Sequence, residues 1–242
     1  MTDRSTILRE IGLTPIWALR GAASAAPDTT AEPAATALVA APPAADGNAL
    51  TEPERAAAIA AMSWDELIAS ITTCTACKLC TTRNKTVPGA GDRAPSWMVI
   101  GEAPGENEDL HGEPFVGKAG QLLDAMLAAV GKQRSAGVYI ANVIKCRPPA
   151  NRNPEPDEIA ACAPYLKRQI SLATPKLLLA AGKFAAQTLL NRDDTVALMR
   201  VEGGYFENIP VVVTYHPSYL LRSPLEKSKA WDDLLKARAL VA

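Results

Sequence analysis

The 242-residue chain carries 25 Lys and Arg against 26 Asp and Glu, a formal charge of −1, with 48% hydrophobic residues. That is enough for one substantial core, and the near-neutral balance excludes a globally basic nucleic-acid binder, leaving only a local basic face for such contacts. No segment reaches the ~18 apolar residues of a membrane span, and the start MTDRSTILRE lacks the basic and apolar regions of a secretory signal, so a cytoplasmic location is expected.

In residues 1–20, Ile7, Leu8, Ile11, Leu13, Ile16, Trp17 and Leu19 suggest a short amphipathic helix that Pro15 would break. Residues 21–54 are dominated by Ala and Pro with no aromatic, the composition of a disordered linker. The folded domain is expected over 55–242. It opens with a helix over Ala56–Ile71, in which Ser63 followed by Glu66 has the spacing of a capping box. Four short apolar runs then read as buried strands: Trp97–Gly101, Val138–Val143, Leu177–Ala181 and Val211–Tyr215. Helical patterns lie between them at Gly120–Val130, Pro156–Leu172 and Lys183–Leu190. Alternating strands and helices predict a three-layer α/β/α sandwich around a central four-stranded parallel sheet. In such a sheet the site lies beyond the carboxyl ends of the strands, where three of the four runs meet polar or glycine-rich motifs.

Five cysteines make a poor disulfide framework, and an odd count leaves one unpaired. Cys74 and Cys77 form a Cys-x2-Cys pair, with Cys146 and Cys162 downstream. Four thiolates can hold zinc or an iron-sulfur cluster, and the competing reading is buried apolar cysteine. Cys80 extends the pair to Cys-x2-Cys-x2-Cys and is a rival ligand.

The ordered set Cys-x2-Cys, GEAPGENED, GEPFVGKAGQLLD, NVIKCRPP, a fourth cysteine and YHPSYLLR resembles the family-4 uracil-DNA glycosylases over roughly residues 64–240. The resemblance implies a [4Fe-4S] cluster on Cys74, Cys77, Cys146 and Cys162. It implies hydrolysis of the N-glycosidic bond of deoxyuridine in single- or double-stranded DNA by a monomeric DNA-repair enzyme. Gly101, Ala103, Glu108, Phe115 and Asn142 would then hold uracil. Phe115 would stack on the base, Asn142 would read N3–H and O4, and Glu108 would fill the space beside C5. The corresponding bland readings are core packing for Phe115 and a turn for Asn142.

His216, one of two histidines in the chain, would stabilise the departing uracil anion, with Glu102 at the pocket. Where better-known uracil glycosylases carry an Asp that positions water, this chain has Ala103. Arg147, Ser218, Leu220, Leu221 and Arg222 would contact DNA, with Lys145 and Arg152 adding positive charge to the rim. Glu106 and Asp109 read as solvated bystanders, and His111 as a surface residue. Alternatives are a related glycosylase for hypoxanthine or mismatched thymine, a non-catalytic iron-sulfur DNA-binding module, and a zinc-dependent hydrolase.

Overall fold

The computed structural model describes residues 51–241. The expected helix within 1–20 and the linker up to residue 50 lie outside the described residues. The first described helix, α1, covers Glu52–Ala61 and so takes in the end of the expected linker. Thr51 is the reason: the Glu54 carboxylate accepts from its backbone N–H and its hydroxyl, each at 2.8 Å, which fixes the helix start.

The single helix expected over Ala56–Ile71 is two helices, α1 and α2 (Trp64–Thr72). The break follows from the capping box itself. Ser63 takes extended backbone, and Glu66 accepts from its N–H at 2.8 Å and its hydroxyl at 2.7 Å, so the motif starts a helix rather than sitting inside one.

The sheet has six strands in the order β1-β3-β2-β4-β6-β5. Those strands are β1 (Ala90–Gly91), β2 (Trp97–Gly101), β3 (Val138–Asn142), β4 (Leu177–Ala181), β5 (Gly204–Phe206) and β6 (Ile209–Thr214). The four expected strands form the parallel centre, and β1 and β5 add short antiparallel edges. These edges are too short to show a two-residue period, so the apolar pattern passed over them.

The remaining helices are α3 (Glu106–His111), α4 (Lys118–Ala129), α5 (Pro156–Ala173), α6 (Lys183–Leu190), α7 (Val196–Glu202), α8 (Pro217–Arg222) and α9 (Lys227–Leu240). Alternate strand residues feed two cores. Met98, Ile100, Leu178, Ala180 and Val213 meet Leu166 and Ile170 of α5 and Ala185 and Leu189 of α6. On the opposite face Trp97, Val99, Leu177, Leu179 and Val212 meet Leu123 and Leu127 of α4 and Leu234 of α9. Helices α1 and α2 cover α5 through Ile59, Leu67, Ile71 and Tyr165. No helix among the described residues is long and apolar enough to cross a membrane.

From β2 the chain steps outward to β3 and then returns past β2 to β4, so the strand order reverses beside β2. The crevice at such a reversal, above the carboxyl ends, is where open parallel sheets bind ligands.

Candidate active site

A cleft opens at that reversal. It is lined after β2 by Glu102, Ala103, Gly105 and Glu108, at the end of β3 by Asn142 and farther on by Arg152, after β4 by Lys183, and after β6 by Tyr215, His216 and Arg222, with Phe115 from the loop before α4. Sequence-distant motifs thus converge because parallel strands all end on the same edge.

Parallel pairing sets Gly101 beside Asn142. Asn142 is only 2% exposed. Its Oδ1 is buried without a hydrogen-bond partner, while its backbone carbonyl accepts 2.6 Å from the Lys145 ammonium. Asn142 lines the cleft, so a donor bound there can meet this oxygen. Gly101 leaves the space: a Cβ there would stand 2.3 Å from Asn142 Oδ1 and 2.7 Å from the Phe115 ring.

Phe115 adopts the left-handed region at φ 55°, a conformation that costs a non-glycine residue about 1–2 kcal/mol. Two features hold it there. The Arg134 guanidinium donates to the Pro114 and Phe115 carbonyls at 2.9 and 2.8 Å, itself braced by Asp124 at 3.0 Å. Gly120 lets the Phe115 carbonyl pass where a Cβ would lie 1.7 Å from it. Arg134 lies outside every motif noted in the sequence, and nothing local signals its role.

The Phe115 and His216 rings stack with centroids 5.5 Å apart and 29° between planes. That separation is wider than face-to-face contact, so the imidazole covers only part of the phenyl face. His216 caps α8, and its Nδ1 accepts from the Ser218 backbone N–H at 3.2 Å, with the Ser218 hydroxyl 2.7 Å away. An amide N–H can only donate, so Nδ1 is the acceptor and Nε2 carries the hydrogen. Burial, reinforced by the Arg222 guanidinium, pushes the imidazole down to about 4 against the opposing pull of Glu108. The ring is therefore neutral at pH 7, with one N–H to offer.

The acids divide sharply. Burial raises the Glu102 carboxyl above the usual range. Glu108 accepts from the Val116, Gly117 and Gly105 backbone N–H groups at 2.9, 3.1 and 3.1 Å, so it ties the loop after β2 to the Phe115 loop. Asp109 is not a solvated bystander: it is buried and accepts from the Asn84 N–H and side-chain amide, anchoring α3 to the cysteine segment. Glu106 is exposed, as expected, 4.0 Å from Arg147. His111 is exposed as well, its Nδ1 2.7 Å from the Asn107 carbonyl.

Among the expected DNA contacts, Ser218 and Arg222 line the cleft and Leu221 is 43% exposed. Leu220 is corrected: it is 1% exposed, because Pro217 and Leu220 lie three residues apart on the inward face of α8. Arg147 sits outside the cleft and donates to Asn151 Oδ1 at 2.7 Å. Lys145 is buried and Arg152 is paired with buried Glu158 at 2.9 Å, so neither gives the rim a free charge. Lys183, Tyr215 and Tyr219 also line the cleft. No motif noted in the sequence contains Lys183, and the two tyrosines lie inside the YHPSYLLR motif.

Cys74, Cys77, Cys146 and Cys162 line one separate cavity, while Cys80 lines a different depression with Arg83 and Asn84. Arg83 donates to Cys146 Sγ at 3.1 Å and to the Cys74 carbonyl at 2.8 Å, and Arg55 lies 3.9 Å from Cys74 Sγ. Burial pushes the Cys146 thiol up to about 12 against the pull of Arg83. It raises Cys162 against the backbone N–H and ammonium of Lys145. The guanidinium groups of Arg83 and Arg55 and the Lys145 ammonium beside these sulfurs suit a site whose total charge is negative. Among the described residues no three His, Cys, Asp or Glu group closely enough for a metal ion. The four thiols face one shared cavity, and four thiolates can hold zinc or an iron-sulfur cluster.

The profile of the Uracil DNA glycosylase superfamily matches residues 88–235. The chain is 41% identical to a type-4 uracil-DNA glycosylase of Archaeoglobus fulgidus over 72% of this chain and 91% of that protein. It is 38% identical to one from Sulfurisphaera tokodaii, over 74% of this chain and 84% of the relative. A third, from Thermotoga maritima, is 39% identical over 69% and 89% of the two chains.

Proposed function

Because this chain belongs to the uracil-DNA glycosylase superfamily, in its type-4 branch, we infer that it hydrolyses the N-glycosidic bond of deoxyuridine in DNA, releasing uracil and leaving an abasic site. The residue assignment rests chiefly on one observation, the buried and unpartnered Oδ1 of Asn142 beside Gly101 and Phe115.

The base must leave the helix to reach this cleft, and the enzyme must then read its edge and cover its face. Asn142 Oδ1 accepts from uracil N3–H and its amide NH2 donates to O4. Cytosine has an acceptor at N3 and a donor at C4, so the same amide opposes it. Phe115 covers the base face, and Ala103 and Glu108 form the wall. With its oxygens fixed by three backbone N–H groups, Glu108 is a rigid wall beside C5, where the methyl of thymine would clash.

As the glycosidic bond breaks, its electron pair moves onto uracil and the sugar becomes oxocarbenium-like. Neutral His216 donates Nε2–H to the developing charge on O2. A donor fixed in a cleft of this kind contributes about 100- to 1000-fold to rate. Water then adds to C1′, and Glu102, made more basic by burial, takes its proton. Ser218, Leu221 and Arg222 meet the DNA strand, and the enzyme acts as a cytoplasmic monomer. The reaction ends at the abasic site, and the strand is left uncut.

Cys74, Cys77, Cys146 and Cys162 would hold a [4Fe-4S] cluster, which when bound cross-links the segment before β1 to the loop after β3 and to α5. Glycosidic hydrolysis transfers no net electrons, so a bracing role suffices.

The test is release of uracil from an oligonucleotide, read as alkali-labile sites, beside His216→Ser and Asn142→Ala. Both variants should lose at least about 100-fold. Equal activity in all three would refute the residue assignment, and no release by the parent chain would refute the activity.

A further inference from the structure

Two aromatic rings at the cleft mouth have no part in holding the excised base. Tyr215 follows β6 and Tyr219 lies one helical turn later in α8, with ring centroids 5.1 Å apart and 37° between planes. Both line the cleft, and Tyr219 is 38% exposed. The pair is held firmly from behind. The Arg200 guanidinium sits 4.8 Å over the Tyr215 ring. Arg200 is itself fixed by buried Asp233 of α9, at 2.7 and 2.8 Å, and by the Lys229 carbonyl at 2.6 Å.

A tilted tyrosine pair, backed by Arg200 and ending on the exposed Tyr219 ring, offers a π-face whose ordering cost is largely met within the fold. Arg222 and Lys183 line the same cleft and can neutralise phosphates on either side. Exposed aromatics beside such cations are the elements of single-strand recognition, where each base–aromatic stack changes affinity by about tenfold.

We propose that Tyr215 and Tyr219 form a stacking platform for the nucleobase next to the uracil on the same strand, so the enzyme grips two consecutive nucleotides. The platform rests on the glycosylase reading and extends it from one base to a dinucleotide. Any of the four bases satisfies it, because every base has a π-face.

The test uses single-stranded oligonucleotides carrying one deoxyuridine, either complete or with a stable abasic analogue at the 5′ or the 3′ neighbour. Wild type should lose about tenfold in kcat/KM, mainly through KM, when the base on one particular side is missing. Tyr219→Ala should lose a similar factor on the complete substrate and nothing more on that abasic-neighbour substrate, and Tyr219→Phe should restore the wild-type pattern. Wild type indifferent to either missing neighbour would overturn the proposal without recourse to a variant. So would a Tyr219→Ala loss of equal size on complete and abasic-neighbour substrates. Failure of wild type to release uracil from the complete strand would instead count against the glycosylase reading.

Discussion

Arg134→Met removes the clamp on Phe115 while keeping an unbranched side chain of similar length. The guanidinium bridges two successive carbonyls and holds Phe115 at φ 55°. Without it, the left-handed conformation is disfavoured by its intrinsic cost of about 1–2 kcal/mol, so the fraction of molecules with the ring in place falls to roughly 3–15%. Apparent catalytic efficiency scales with that fraction, which gives a loss of about tenfold in kcat/KM. The exposed Asp124 partner adds little, because ion pairs at the surface contribute about 0–1 kcal/mol. The assay is single-turnover uracil excision by wild type, Arg134→Met, Phe115→Ala and the double variant, with urea melts run in parallel. If Arg134 acts by placing the ring, its removal costs little once the ring is gone, so the two losses are strongly non-additive. Fully additive losses, or an Arg134→Met enzyme as active as wild type, would refute the reasoning.

The pH profile of kcat/KM should show no His216 limb near the ordinary histidine value of about 6.5, because His216 sits at about 4 and is neutral throughout that range. Activity should fall only on the acid side, as Glu102 and then His216 take up protons. A limb near 6.5 that disappears on substituting His216 would contradict the assignment. The unfolded imidazole binds its proton at the higher pH, so His216 also makes the fold less stable as pH drops from about 6.5 to 4, measurable by urea melts across that window. Gly101→Ala should abolish detectable uracil release at a stability cost of about 1–3 kcal/mol, since its Cβ would lie 2.3 Å from Asn142 Oδ1; calorimetry and excision checked together would expose a tolerated substitution. On the proposed [4Fe-4S] assignment, anaerobically purified wild type and Cys80→Ser should both be brown, whereas Cys146→Ser and Cys162→Ser should be colourless and melt earlier. A colourless Cys80→Ser would move the ligand set.

The central sheet was legible because β2, β3, β4 and the Val211–Thr214 part of β6 are buried on both faces and almost wholly apolar. Their shared carboxyl edge then told where polar motifs would meet, and so Asn142, Phe115 and His216 converge on one cleft. Side-chain direction was harder to read. Leu220 and Leu221 are neighbours in one motif, yet helical geometry sends the first into the core and the second to the surface. Among the acids after β2, two backbone donors in the distant Phe115 loop and one from Gly105 make Glu108 a brace, and the Asn84 amides make Asp109 an anchor rather than a bystander. Arg134 was invisible for the same reason: its targets are carbonyl oxygens, which leave no mark on composition or spacing.

Lys145 gives the molecule a shared hinge point. Its ammonium fixes the Asn142 carbonyl at 2.6 Å, while the same residue lines the four-thiol cavity. With only Val143 and Ile144 between Asn142 and Lys145, no slack separates the two ends of this lever. On the proposed assignment, refitting the cysteine cavity would therefore shift the backbone that carries the Asn142 amide, and base selectivity would drift with every cleft residue left unchanged.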